Sequence, residues 1–138
     1  MDNSFAGLVI YKIQNQEFCS DTNKIVNIIE TSKCIYNFNG KNYELKYDGR
    51  IYVIIPFDKI YKLNFKIGPL SRIILMNITG KLIAFIVDEI IEYMIVDKEN
   101  SLKISYYHSY NPKIKMIIKC DDREIIFPNF ELLFPGNN

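Results

Sequence analysis

Few side chains in this sequence have the type and spacing that chemistry requires. His108 is the only histidine, set in Tyr106-Tyr107-His108-Ser109-Tyr110. A nucleophilic cysteine would have to borrow it as general base, and no spacing links it to Cys19, Cys34 or Cys120. The three cysteines lie far apart with no C-x-x-C, so a zinc site lacks a first shell. All three sit in apolar stretches, where a free thiol behaves as a small hydrophobe. Two carboxylate pairs, Asp88-Glu89 and Asp121-Asp122, have the chemistry for a metal or an acid/base site, but adjacent acids between apolar runs are ordinary turn residues. Gly40, Gly49 and Gly80 are isolated and build no phosphate-cradling loop. Aromatic residues are plentiful, yet basic residues do not cluster beside them as an RNA-stacking surface demands. These absences point to a binding module with no metal and no cofactor. A small Cys/His hydrolase is the enzyme reading, and it would stand or fall with His108.

The elements that would position these residues are strands. The 138 residues contain 25 Ile, 10 Tyr and 9 Phe but only two Ala, a bias against helices and toward strands. Period-two stretches recur, and no helical stripe persists beyond about two turns. Residues 8–13 read as a buried first strand ended by Gln14-Asn15-Gln16, with two short strands at 17–20 and 24–29. Next, Cys34, Tyr36 and Phe38 alternate with polar or smaller neighbours, and Asn39-Gly40 offers a two-residue hairpin turn. That turn sets Tyr36 opposite Tyr43, Cys34 opposite Leu45 and Asn37 opposite Asn42. Asp48-Gly49 turns into a strand at 50–55 closed by Pro56, and residues 58–63 suit one helical turn. Thr79-Gly80 joins 72–78 to 81–87, both continuously apolar and so buried on both faces or wrapped round a small barrel. A last hairpin runs through 113–120 and 123–127 about Asp121-Asp122. Residues 97–112 form the longest expected loop, and 129–134 suit either a strand or a helical turn. About ten short strands at tight spacing mean a mainly β, Greek-key or barrel architecture in one domain spanning 1–138.

Composition sets the outer limits. The formal net charge is +1 from 17 basic and 16 acidic residues, so no strong field favours nucleic acid or anionic lipid. Apolar runs fall far short of the roughly 20 residues that span a bilayer. The opening Met-Asp-Asn-Ser does not read as an export signal, and an odd cysteine count suits a reducing, cytoplasmic compartment.

The order of the apolar pieces carries a resemblance. Residues 72–96, RIILMNITGKLIAFIVDEIIEYMIV, show a hydrophobic strand, a small-residue turn and a strand ending in Asp88, with Glu92 four residues on. The opening Leu8-Val9-Ile10-Tyr11 followed by Glu17-Phe18, then Ile25 and Ile28, and the close with Asp122-Arg123, Ile125-Ile126 and Leu132-Leu133 complete a pattern that resembles the CheW-like domain of bacterial chemotaxis adaptors. The resemblance implies two small SH3-like barrels packed together. It also implies a non-enzymatic adaptor between the regulatory domain of a CheA-like histidine kinase and the cytoplasmic tip of a chemoreceptor. The middle differs from the family's N-L-R-G-x-V-I-P-V-I-D-L: Gly49 keeps the glycine, but Asp48 holds the arginine position, Val53 the proline and Pro56 the aspartate. Asn27 stands where an acid is expected, and residues 102–107 replace a proline-rich segment. Partner-binding residues are accordingly expected at Asn27, Asp48, Arg50 and Asp88, with the contact rewired around Asp48 and Arg50. The other reading is a diverged structural or regulatory β-barrel protein that has lost both partners and dimerises through free edges.

Overall fold

In the computed structural model, the described residues are 6–31, 35–38, 40, 43–55, 68–96, 104–107 and 110–133. Twelve strands occur among them: β1 (Ala6–Ile13), β2 (Gln16–Asp21), β3 (Ile25–Glu30), β4 (Ile35–Phe38), β5 (Tyr43–Tyr47), β6 (Arg50–Ile54), β7 (Arg72–Ile78), β8 (Lys81–Val87), β9 (Glu89–Val96), β10 (Ile104–Tyr107), β11 (Ile114–Cys120) and β12 (Arg123–Pro128). One helical turn follows, α1 (Phe130–Leu133). Cys34, Asn42, Pro56, the helical turn expected at 58–63 and His108 lie outside the described residues.

Two six-stranded sheets result, ordered β10-β11-β12-β2-β1-β9 and β3-β7-β8-β6-β5-β4. The second is built from one unbroken stretch of chain, and the first from the strands on either side of it. Each sheet has its own core. Leu8, Ile10, Cys19, Ile118 and Ile125 fill the first. Ile29, Leu45, Tyr52, Ile73, Leu75 and Ala84 fill the second. A third cluster joins them, with Val9, Tyr11, Ile13 and Phe18 from one sheet against Ile74, Met76, Ile83, Phe85 and Val87 from the other.

This three-core arrangement explains the continuous apolar runs. Successive side chains of a strand point to opposite faces. In β1, Leu8 and Ile10 enter the first sheet's core while Val9, Tyr11 and Ile13 enter the shared one. In β7, Ile73 and Leu75 face inward to their own sheet while Ile74, Met76 and Ile78 face its neighbour. Strands buried on both sides cannot afford polar positions. The resulting pair of packed β modules is the mainly β fold that the resemblance implied.

Turn chemistry closes most hairpins where expected. Gln14 (φ 49°) and Asn15 (φ 67°), Asp48 (φ 50°) and Gly49 (φ 75°), and Thr79 (φ 51°) and Gly80 (φ 89°) each give the paired positive φ of a type I′ turn. The β4–β5 hairpin corrects the expected register. Tyr36 pairs with Leu45 and Phe38 with Tyr43, so Tyr36 does not face Tyr43. Gly40 still has φ 92°. A slip of two residues keeps every side chain on its face, so alternation fixed the faces but not the pairing. The expected loop at 97–112 also needs correction, because β10 lies inside it as an edge strand on β11. The strand β9, with apolar residues on both faces, has no alternation to mark it.

Candidate functional site

The chain crosses between sheets at two places, and the expected site residues fall near both. After β2, a 3-10 turn over Thr22–Lys24 leads into β3. The β3–β7 ladder shifts register between Ile25 and Asn27, a bulge that sets Asn27 at the rim. Asn27 Nδ2 donates to the Tyr47 hydroxyl at 2.9 Å, and its Oδ1 accepts from the Ile28 amide at 2.8 Å. Because β3 and β5 are separated by three strands in sheet order, this bond spans the curled sheet rather than a neighbouring ladder.

Tyr47 pairs directly with Arg50 across the Asp48-Gly49 turn. Opposed residues of an antiparallel pair share a face, so Arg50 leaves the hairpin on the same face as Tyr47. Asp48 is not part of an extended strand: with φ 50° it forms the turn itself. Its carboxylate and the Arg50 side chain are both exposed. Three of the four expected residues therefore connect to Tyr47, which the sequence did not single out: Asn27 by a hydrogen bond, Arg50 as strand partner and Asp48 as chain neighbour.

Asp88 lies elsewhere, at the second crossing. Its amide donates to the Lys12 carbonyl at 2.8 Å, and its Oδ2 accepts from the Gln14 amide at 2.7 Å. The carboxylate thus caps the left-handed β1–β2 turn and ties it to the start of β9. Its contacts are those of a structural fastener.

A cleft extends the Asn27 rim toward the other sheet, lined by Val9, Thr22, Ile25, Asn27, Ile28 and Tyr93. Tyr93 pairs with Val9, which belongs to the shared core. The face of the first sheet that packs on its neighbour therefore runs out past that neighbour at β9. It emerges as a ledge of Ile91, Tyr93 and Ile95, which are 37%, 69% and 64% exposed. Isolated exposed apolar residues are commonplace, but three at alternate positions of one edge strand beside a cleft make this ledge a candidate binding surface. Tyr93 and Asn27 line one cleft, and Asn27 in turn bonds Tyr47, the strand partner of Arg50.

A further cluster sits on the opposite face of β9. Arg123, opening β12, donates from Nε to Glu17 Oε1 of β2 at 3.1 Å, and its Nη2 also reaches Glu17. Its Nη1 donates to Glu92 of β9. Hydrogen bonding to Glu17 above all, and to Glu92, holds the guanidinium charged beyond its ordinary range. The sequence presented Glu17, Glu92 and Arg123 as separate pieces of a motif order, with nothing to show that they meet.

Among the described residues, no group of three or more His, Cys, Asp or Glu side chains is placed to hold a metal ion. Cys19 is buried in the first core, and burial pushes its thiol pKa up, which suits packing rather than nucleophilic attack. No helix among the described residues is long and apolar enough to cross a membrane.

Comparison with known proteins agrees with the two-sheet fold. A solved structure similar to the chain is the scaffolding protein TtCheW from Thermoanaerobacter tengcongensis, with a TM-score of 0.76 at 18% identity, covering 96% of this chain and 95% of that one. A comparison with curated protein sequences returns no match. The model of the CheW-like domain matches residues 7–136. With nearly the whole sequence matched and the two-sheet fold reproduced, the chain belongs to the CheW-like domain family, a family of chemotaxis scaffolds and adaptors.

Proposed function

We infer that this chain is a non-catalytic coupling scaffold of a chemotaxis-type system. It holds the cytoplasmic helical tip of a receptor on one face and the regulatory domain of a CheA-like histidine kinase on another, within the cytoplasm. The observation that carries this reading is the ledge of Ile91, Tyr93 and Ile95 beside the Asn27 cleft. An apolar strip with a polar rim is what the apolar stripe of a helix needs for burial and register. The exposed Asp48-Arg50 rim, with Tyr43 and Ile51 exposed on the same hairpin, supplies the second face, for the kinase. Its charges differ from the family pattern at Asn27 and Asp48, so the cognate kinase domain is expected to carry matching changes and to discriminate against other adaptors.

The test is calorimetric titration of the purified chain with each partner fragment encoded in the same genome. Tyr93→Asp should weaken the receptor tip by roughly tenfold or more while leaving the kinase domain bound, as loss of a central aromatic anchor does. Failure of both wild-type titrations, with a concentration-dependent dimer instead, would favour the diverged structural protein.

A further inference from the structure

We propose that Arg123 is a positioning residue for the β9 ledge: its guanidinium pins the edge strand at a β-bulge and so aims Ile91 and Tyr93. The inference rests on the ledge being the receptor-binding surface described above.

The bulge is visible in the pairing. Ile10 of β1 pairs with Glu92, but its neighbour Tyr11 pairs with Ile90, so Ile91 is the extra residue. Such a bulge bends its strand and re-aims the side chains beside it. β9 is an edge strand, with β1 as its one neighbour in the sheet order. An edge strand with an inserted residue needs something to fix where it bends. Glu92 is the residue next to the insertion, and it projects to the face opposite Ile91 and Tyr93, the face on which Met94 packs against the first core.

Arg123 supplies the fixing point. It belongs to β12, three places along the sheet from β9. Its Nε and Nη2 engage Glu17 of β2 while Nη1 engages Glu92, so one planar group ties β12, β2 and β9 together. The fork matters: five fixed donors can hold two carboxylates in defined directions, whereas a lysine ammonium is a mobile point charge. Gln16 strengthens the same junction by donating to the Glu124 carbonyl at 3.1 Å. The anchor on β2 and β12 is therefore firm, and the single strand it restrains is the one carrying the ledge.

The test compares wild type with Arg123→Met, Arg123→Lys and Glu92→Ala, the last keeping the Arg123–Glu17 pair intact in case the first fails to fold. Hydrogen exchange should quicken by about tenfold or more at amides 91–95 in Arg123→Met and Glu92→Ala, with β7 and β8 unchanged. Arg123→Lys should rescue it only in part. Affinity for the receptor-tip fragment should fall by roughly tenfold, and this loss should vanish in a Tyr93→Ala background, since neighbours acting through one surface are not additive. Unchanged exchange in β9 overturns the proposal, as does faster exchange with unaltered affinity or an additive double variant. If wild type itself does not bind the receptor tip, the proposed partner is wrong, and the exchange measurement decides whether Arg123 pins the strand.

Discussion

Phe85→Ala tests whether the two β modules act as one unit. Phe85 is fully buried in the shared core, its ring 5.4 Å from that of Tyr11 and 5.3 Å from that of Phe130. Tyr11 comes from the first sheet and Phe85 from the second, so the substitution removes contacts between modules and leaves each module's own core untouched. A buried Phe→Ala change costs about 3–5 kcal/mol, including the cavity it leaves. The two lost ring pairs place it toward the upper end of that range, at roughly 0.5–1.5 kcal/mol each. Against a total stability of about 5–15 kcal/mol for a domain, this is a large fraction. For a chain of this length it corresponds to a fall in Tm of roughly 10 °C or more. Urea unfolding would be followed by far-UV circular dichroism and by tyrosine fluorescence. Both probes should give one coincident transition in wild type and variant alike, because the shared cluster contains more buried side chains than either module's own. A cost below about 1 kcal/mol, or two separate transitions, would refute the argument that the shared core welds the modules.

Three further outcomes follow from particular residues. Exchanging the charges as Asp48→Arg with Arg50→Asp should change affinity for the cognate kinase regulatory domain by about 1 kcal/mol or more; an unchanged dissociation constant with the fold intact would move the kinase interface away from this rim. Gly49→Val, at φ 75° with open space around it, should destabilise by on the order of 1 kcal/mol or more through backbone strain alone, read as a lower urea midpoint. Burial raises the Cys19 pKa, so the folded thiol stays protonated while the unfolded one ionises. Stability from this site is therefore full at neutral pH and is lost above roughly pH 9 at about 1.4 kcal/mol per pH unit, a slope that Cys19→Ala should reduce in alkaline denaturation.

What could be read from the sequence follows physical range. Strands with two buried faces announce themselves by unbroken apolar runs, and the hairpin of β7 and β8 was placed to the residue from Thr79-Gly80. The Asp48-Gly49 turn was equally plain, since positive φ at two successive positions has a narrow residue repertoire. The β4–β5 pairing failed because a slip of two residues leaves the hydrophobic pattern unchanged. The Arg123 bridge was invisible for a different reason: its carboxylates lie 106 and 31 residues away, and no local pattern reports which charges a fold will bring together. Asn27 and Asp48 were found as departures from a family pattern. Their neighbourhood through Tyr47 needed the curl of the second sheet. The ledge left a faint signal, because Ile91, Tyr93 and Ile95 keep an edge strand apolar at alternate positions while Ile90 and Met94 already reach the shared core and the first core.

The same excess bears on how a domain of a scaffold family can work. A scaffold acts by holding partners at a fixed separation and angle, so its working parts are the directions of surfaces. Here those directions are set by strands with two buried faces. β1 carries Val9 beneath the ledge and Ile10 in the first core, while β7 and β8 carry the wall that faces β1 and the core beneath the β5–β6 hairpin. Turning one module relative to the other would break packing on both faces of the same strands. A hinge placed between these modules would have to open the largest core in the molecule, at a cost comparable to unfolding. The ledge at β9 and the rim at Asp48-Arg50 are thus held in one rigid frame. The freedom that remains lies at the edges, at the Ile91 bulge and the left-handed turn, where single residues can retune partner choice without disturbing the frame.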